Sequence, residues 1–346
     1  MHHTSHDGGM DFVTLGMFII DDIYPPPTSP TQQAQLNVIG GAGTYSAIGA
    51  RLFSPPPKSR SVGWIVDAGT DFPPSLLTAI RSWQTGALTR SRDAPTTKGW
   101  NGYSGNESRA FQYLTDKKRL TADDLTPELL ASRSFHLICS PGRCVDQVNG
   151  ISSRRRKELG EDAQRPIFVW EPVPDLCVPE ELENTYEALK YVHVVSPNHE
   201  ELANLFGVKH GEGVDRSMVE EHATKLVERG IGPDGDGVVV VRVGAEGCLV
   251  QTRTVKQWLP AYHLDSSKVV DPTGGGNGFL GGLSVGLVRT NKDVVEAAKW
   301  GSVAASLCIE QVGMPSLTKA STDGKSEKWN GVSVPERLEE FQRRTA

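Results

Sequence analysis

The sequence predicts an α/β protein: a doubly wound, mostly parallel sheet with helices on both faces, carrying a small β-rich lid. Three observations lead there. Short apolar runs alternate with helix-like stretches along most of the 346 residues, the order that builds parallel strands joined by crossover helices. Those runs are continuous rather than alternating, as in strands covered on both faces. Two stretches break the rhythm and read as half-exposed strands outside the main sheet.

In chain order, Met1 to Met10 lacks an apolar core and reads as a flexible terminus rather than a leader peptide, its His2, His3 and His6 forming a polar tract. Phe12–Ile20 is the first buried strand, and Tyr24–Leu36, rich in Pro, Thr and Gln, is the first excursion. Thr44–Phe53 reads as a helix, Ser61–Val66 as a strand and Leu76–Trp83 as a helix. Thr96–Leu114 alternates polar and apolar residues, so the lid is drawn from about residues 23–39 and 96–114. The pattern then resumes, with strands at Phe135–Ser140, Pro166–Trp170, Tyr191–Val195 and Gly237–Val243. Helices are expected at Ile151–Leu159, Pro179–Leu189, Glu200–Leu205 and Ser217–Arg229. The α/β unit spans 11–315, and 316–346 reads as a polar loop followed by a C-terminal helix. The basic run Arg154-Arg-Arg-Lys157 reads as a solvated helix face.

Composition narrows the function. The 38% hydrophobic fraction becomes about 46% once glycine is added and tyrosine removed, within the globular range, which excludes intrinsic disorder, and no apolar run approaches the ~18 residues of a membrane span. With 36 basic against 42 acidic residues, the net charge of −6 argues against direct nucleic-acid binding. Five scattered cysteines without a C-x-x-C pair argue against a zinc ribbon or a disulfide scaffold and point to a reducing, cytoplasmic setting.

The most informative segment is Lys268-Val-Val-Asp-Pro-Thr-Gly-Gly-Gly-Asn-Gly-Phe-Leu-Gly-Gly282. A strand-like end meets Asp271, then Gly274, Gly275 and Gly276, then a small-residue helix. Glycines admit a ligand close to the backbone, and a helix start supplies free N–H groups and a positive dipole end, so this is a natural anion cradle. The alternative is a tight turn whose glycines serve packing. Common nucleotide motifs fail: Gly41-Ala-Gly43-Thr-Tyr-Ser46 lacks the last glycine of the dinucleotide fingerprint, and Gly324-Lys325-Ser326 lacks the strand and upstream glycine of a P-loop.

Asp271-Pro-Thr-Gly-Gly-Gly276 with Gly278-Phe-x-Gly-Gly282 resembles the C-terminal signature of the PfkB (ribokinase-like) carbohydrate kinases. Other pieces follow in that family's order over about residues 11–315. Gly16-x-x-x-x-Asp21 is similar to the segment whose aspartate binds substrate hydroxyls, and Gly40-Gly41-Ala-Gly43 to the glycine pair beneath the substrate. Ser196-Pro-Asn198-His-Glu-Glu201 resembles the N-x-x-E element that supports magnesium and phosphates, and Arg242-Val-Gly244-Ala-Glu-Gly247 the turn that meets the nucleotide. Within the family, Gly40–Tyr45, Trp170-Glu-Pro-Val-Pro174 and Arg242-Val-Gly244 look closest to the fungal maintenance-of-killer branch.

The resemblance implies ATP and Mg²⁺ as cofactors and a small-molecule hydroxyl acceptor. It implies acceptor contacts from Asp21, Gly40, Gly41 and Tyr45, nucleotide contacts from Asn198, Arg242, Gly244, Gly247, Asp271 and Thr273, and a metal role for Glu201. It also permits a homodimer formed through the lid. One departure is central: the signature's proton-accepting aspartate is Asn277 here. A neutral amide accepts no proton at pH 7, and losing a general base costs ~10²–10⁴ in rate. Two expectations follow: a slow kinase acting on a sugar-like or nucleoside-like hydroxyl, or an inactive kinase-fold protein that binds a nucleotide or sugar phosphate and works through partners.

Other residues keep two readings. Glu171 lies just past a strand, where open α/β sheets gather ligands, and is a substrate-binding candidate that, like Asp21, could approach the acceptor in place of the missing base; otherwise it is a turn residue. Tyr45 offers a flat ring to a substrate, or packs under the lid. Arg242 stands where the family usually has Thr, and either contacts phosphate or pairs Glu201. Asn198 and Glu201 suit a hydrated Mg²⁺; equally, Ser196 caps a helix with Pro197 at its first position and Glu201 in its first turn. Asn277-Gly278 has the composition of a deamidation site, which would convert the amide to aspartate.

Overall fold

The computed structural model describes residues 9–24, 33–103, 109–208, 213–320 and 326–346. Most of the expected terminus 1–10, part of the first lid excursion and the Gly324-Lys325 dipeptide lie outside them.

A nine-stranded sheet runs in the order Lys256–Leu259, Cys248–Gln251, Val238–Arg242, Val194–Val195, Ile167–Pro172, Ser134–Cys139, Phe12–Thr14, Val62–Ala68, Gly86–Ser91. Its first two pairings are antiparallel and the rest parallel. The apolar runs are continuous because each strand feeds two cores. Val239 and Val241 join Leu226 and Leu202 on one face, while Val238 and Val240 meet Leu283 and Leu287 of the helix Gly275–Arg289 on the other. The helix Ala42–Leu52 crosses that glycine helix closely enough that a Cβ at Gly281 would fall 1.9 Å from the Ser46 carbonyl oxygen.

A four-stranded lid sheet, Gln35–Gly40, Ile19–Ile23, Lys98–Tyr103 and Arg109–Tyr113, stands apart from the main one. Here the structure corrects the expected single strand Phe12–Ile20. The run divides at Leu15–Phe18: its first half joins the core sheet and its second half, Ile19–Ile23, is a lid strand. Gly16 lies against the backbone of Gly43, where a Cβ would meet Gly43 N at 2.6 Å, and the chain turns there. Burial continues through the turn, so hydrophobicity carried no mark of it.

Three further differences have plain causes. The helix expected from Ile151 begins at Pro141, capped by Ser140, because Cys144, Gln147, Val148 and Ile151 form a buried stripe diluted by polar residues. In the basic run, Arg155 is 7% exposed and donates to the carbonyls of Leu130, Ser132 and Gln164, so this face is not simply solvated. The segment after residue 315 forms a short hairpin, Leu317–Thr318 with Lys328–Trp329, before the helix Val334–Arg344. Trp329 is fully buried, and Glu327 holds the fully buried Arg51 through contacts of 2.6 and 2.8 Å. All five cysteines are buried and free, and among the described residues no helix is long and apolar enough to cross a membrane.

Candidate functional site

Polar side chains gather at the carboxyl ends of the parallel strands, where the chain order reverses between Phe12–Thr14 and Ser134–Cys139. The glycine helix opens onto this place. Gly274, its N-cap, has φ 75 and no side-chain cap; Gly275 N donates to the Pro272 carbonyl at 3.2 Å, and the amides of Gly276 and Asn277 precede the first intrahelical bond, from Gly278 to Gly274. A side chain at Gly274 is barred twice, by the left-handed backbone and by the Tyr45 ring, which would lie 2.2 Å from a Cβ. Tyr45 is thus buried beneath the cradle, its ring packed on the glycine turn.

Arg242 closes the cradle's other side. Its Nη1 would lie 2.1 Å from a Cβ at Gly276, so the missing side chain is what admits the guanidinium. Nη1 stands 2.9 Å from Glu171 Oε1, while Nη2 reaches the Ser196 carbonyl at 2.9 Å and Glu201 Oε2 at 3.4 Å. Glu171, at the end of strand Ile167–Pro172, also accepts from Asn277 Nδ2 at 2.7 Å through Oε2. His136 Nε2 lies 3.2 Å from that same oxygen, and His136 Nδ1 is 3.0 Å from the Thr14 hydroxyl, which accepts the Gly16 amide at 2.9 Å. This pattern assigns the ring proton to Nε2, with Thr14 donating to Nδ1.

The two carboxylates behave differently. Burial alone pushes Glu171 up, but Arg242, His136 and Asn277 outweigh it and hold the carboxyl below its usual range. Burial pushes Glu201 up to about 6; the more distant Arg242 only partly offsets this, and the Glu171 charge adds to it.

Asn198 and Glu201 form a reciprocal capping box on the helix His199–Leu205, each backbone amide bonded by the other's side chain at 2.7 Å. Asp271 accepts the Thr273 amide at 3.0 Å and its hydroxyl at 2.6 Å, shaping the turn that leads into the cradle. Gly244 and Gly247 lie in the turn joining Val238–Arg242 to Cys248–Gln251. On the lid side, Asp21 lies over Gly40, where a Cβ would meet its Oδ2 at 1.9 Å, and Gly41 caps the helix Ala42–Leu52.

The fold therefore brings Glu171, Glu201, Arg242, Gly276 and Asn277 into one cluster, with Asp21, Gly40 and Gly41 on the lid side and Tyr45 beneath. Sequence reasoning missed Thr14 and His136. The available signal was a histidine inside the apolar strand Phe135-His-Leu-Ile-Cys139, fully buried in the fold. For a phosphorylated ligand the cluster offers an uncapped helix start beside a guanidinium, whose charge is shared with Glu171 and Glu201. It also suits hydrated Mg²⁺ arriving with phosphates, because capping occupies only Oε2 of Glu201 among the described residues, leaving Oε1 for a metal's water.

Fold and cradle together define the class, a ribokinase-like α/β protein. The chain belongs to the pfkB family of carbohydrate kinases, whose family model matches residues 19–319. It is 36% identical to an uncharacterized protein of Schizosaccharomyces pombe, over 99% of this chain and 94% of that one. It is 35% identical to protein MAK32 of Saccharomyces cerevisiae, over 94% of this chain and 90% of that one. The fold also resembles the Escherichia coli structure described as a ribokinase II in complex with ATP and Mg²⁺, with a TM-score of 0.65 at 16% identity, covering 97% of this chain and 99% of that one.

Proposed function

We propose that this chain transfers a phosphoryl group from ATP to a hydroxyl of a small sugar-like or nucleoside-like substrate. The observation that carries the reading is the meeting of Arg242 with the uncapped glycine helix at Gly276. The helix start favours an anion, Arg242 is a donor whose charge Glu171 and Glu201 already share, and phosphoryl transfer depends mainly on positioning and charge stabilisation. In this reading Gly274, Gly275 and Gly276 cradle the transferring group. Arg242, Asn198, Asp271, Thr273, Gly244 and Gly247 serve the nucleotide side. Glu201 would hold Mg²⁺, which would supply neutralisation of phosphate charge. Asp21, Gly40 and Gly41 shape the acceptor floor, while Tyr45, expected to offer its ring to a substrate, is instead buried against the glycine turn.

Calorimetric titration with ATP and Mg²⁺, followed by ADP release across a panel of sugars and nucleosides, tests it. Expected are saturable binding and turnover with at least one acceptor; absence of binding would remove the reading. A second reading, a binding protein without turnover, has its own observation in Asn277, whose amide is committed as a donor to Glu171. Binding with no turnover on any acceptor would favour it.

A further inference from the structure

We propose that Glu171 is the proton acceptor of this site, its carboxylate presented to the acceptor hydroxyl beside Asn277. This rests on the kinase reading above and assigns its missing chemical role. Transfer to a hydroxyl releases a proton, and a fixed carboxylate at the anion cradle is the group suited to take it.

The candidates separate by their link to the first turn of the glycine helix rather than by how many oxygens are committed. Asp271 spends Oδ1 on the Thr273 amide and hydroxyl. Glu201 spends Oε2 on the Asn198 amide and Arg242 as part of a helix cap. Asp21 sits in the lid strand over Gly40 and Gly99. Glu171 is joined to the first turn of the glycine helix by the 2.7 Å bond from Asn277. Asn277, His136 and Arg242 use three of the about four lone-pair directions of its carboxylate, and an acceptor hydroxyl would take the fourth at a side chain 6% exposed.

The same three donors fix its position, and Thr14 in turn fixes His136, which acts as a positioning residue. The negative charge is therefore present at the cradle, carried by residue 171 and bonded to the amide at 277. In the transfer, the acceptor oxygen bonds to the γ-phosphorus of ATP. The bond from that phosphorus to the bridging oxygen breaks, and its electron pair leaves with ADP. The hydroxyl proton passes to Glu171 and then to solvent.

The test is a charge swap on the full chain, with MgATP as the probe and either water or an acceptor found by screening as the nucleophile. Glu171→Gln is expected to lower kcat by about 10²-fold or more while leaving the KM for ATP within a few-fold. Glu171→Gln combined with Asn277→Asp returns one carboxylate to the pair and is expected to recover at least tenfold of that loss. Thermal unfolding gives a readout independent of turnover: Asn277→Asp alone sets two carboxylates at hydrogen-bond distance and is expected to melt below the double variant.

Glu171→Gln turning over at the native rate would overturn the proposal, as would a double variant no faster than Glu171→Gln. MgATP binding with no turnover in either the native chain or the double variant would also overturn it, leaving the nucleotide-binding reading intact. Failure to bind MgATP at all would instead remove the parent reading, and this one with it.

Discussion

Arg242 stands between two buried carboxylates, 2.9 Å from Glu171 and 3.4 Å from Glu201. One cation cannot serve both equally, and the shorter contact goes to the residue that is also bonded to Asn277 and His136. The result is asymmetric: Glu171 is held below its usual range and Glu201 is pushed up to about 6.

Removing that cation has a direct cost. Arg242→Gln leaves two carboxylates, 6% and 7% exposed at the side chain, without their shared partner. Breaking a buried ion pair from one side costs about 3–5 kcal/mol. Urea unfolding at neutral pH is expected to show a loss of that order, together with weakened MgATP binding.

The cradle glycines are expected to separate fold from ligand. Gly274→Ala forces a left-handed residue against the Tyr45 ring and is expected to cost about 2–4 kcal/mol in thermal unfolding. Gly276→Ala meets only the far end of Arg242, which can shift, so its expected loss stays below about 2 kcal/mol while MgATP affinity falls about tenfold or more.

Acid sensitivity is expected from His193. Burial, with Arg165 adding, lowers its pKa from the ordinary value of 6.5 to about 4, and its Nδ1 accepts the Phe168 amide at 3.1 Å. Between those values the unfolded chain binds the proton and the folded chain does not, so stability falls as pH drops from 6.5 toward 4. The full loss is about 3 kcal/mol. His193→Asn keeps an acceptor without a titrating group, and the difference between variant and native unfolding free energies should change by about that amount between pH 7 and pH 4.

Deamidation at Asn277 is expected to be slow. Ring closure needs the Gly278 nitrogen, which donates to the Gly274 carbonyl at 2.8 Å within the helix. Peptide mass spectrometry of aged native protein should show no mass gain at Asn277, and unfolded protein should gain it faster.

Much of this site was legible in local sequence. The three glycines announced a helix start, because that depends on conformation within a few residues; the cap expected at Ser196 falls instead on Asn198, two residues on, with Glu201 completing its capping box. Less visible was the break at Gly16, because burial on both sides of the turn kept the run apolar. His136 was missed because its partners, Thr14 and Glu171, come from neighbouring strands far along the chain. The buried Trp329 was missed because it sits in an otherwise polar stretch.

By itself, then, the sequence determined the alternation of strands and helices, the glycine cradle and the absence of an aspartate at 277, all consequences of residue type and short-range geometry. Only the tertiary structure decided where the compensating charge stands. Glu171 and Asn277 are separated by 106 positions, and their bond exists because a central strand's carboxyl end and a helix start meet there. Side-chain partners at such range follow from packing in three dimensions, which no local pattern encodes.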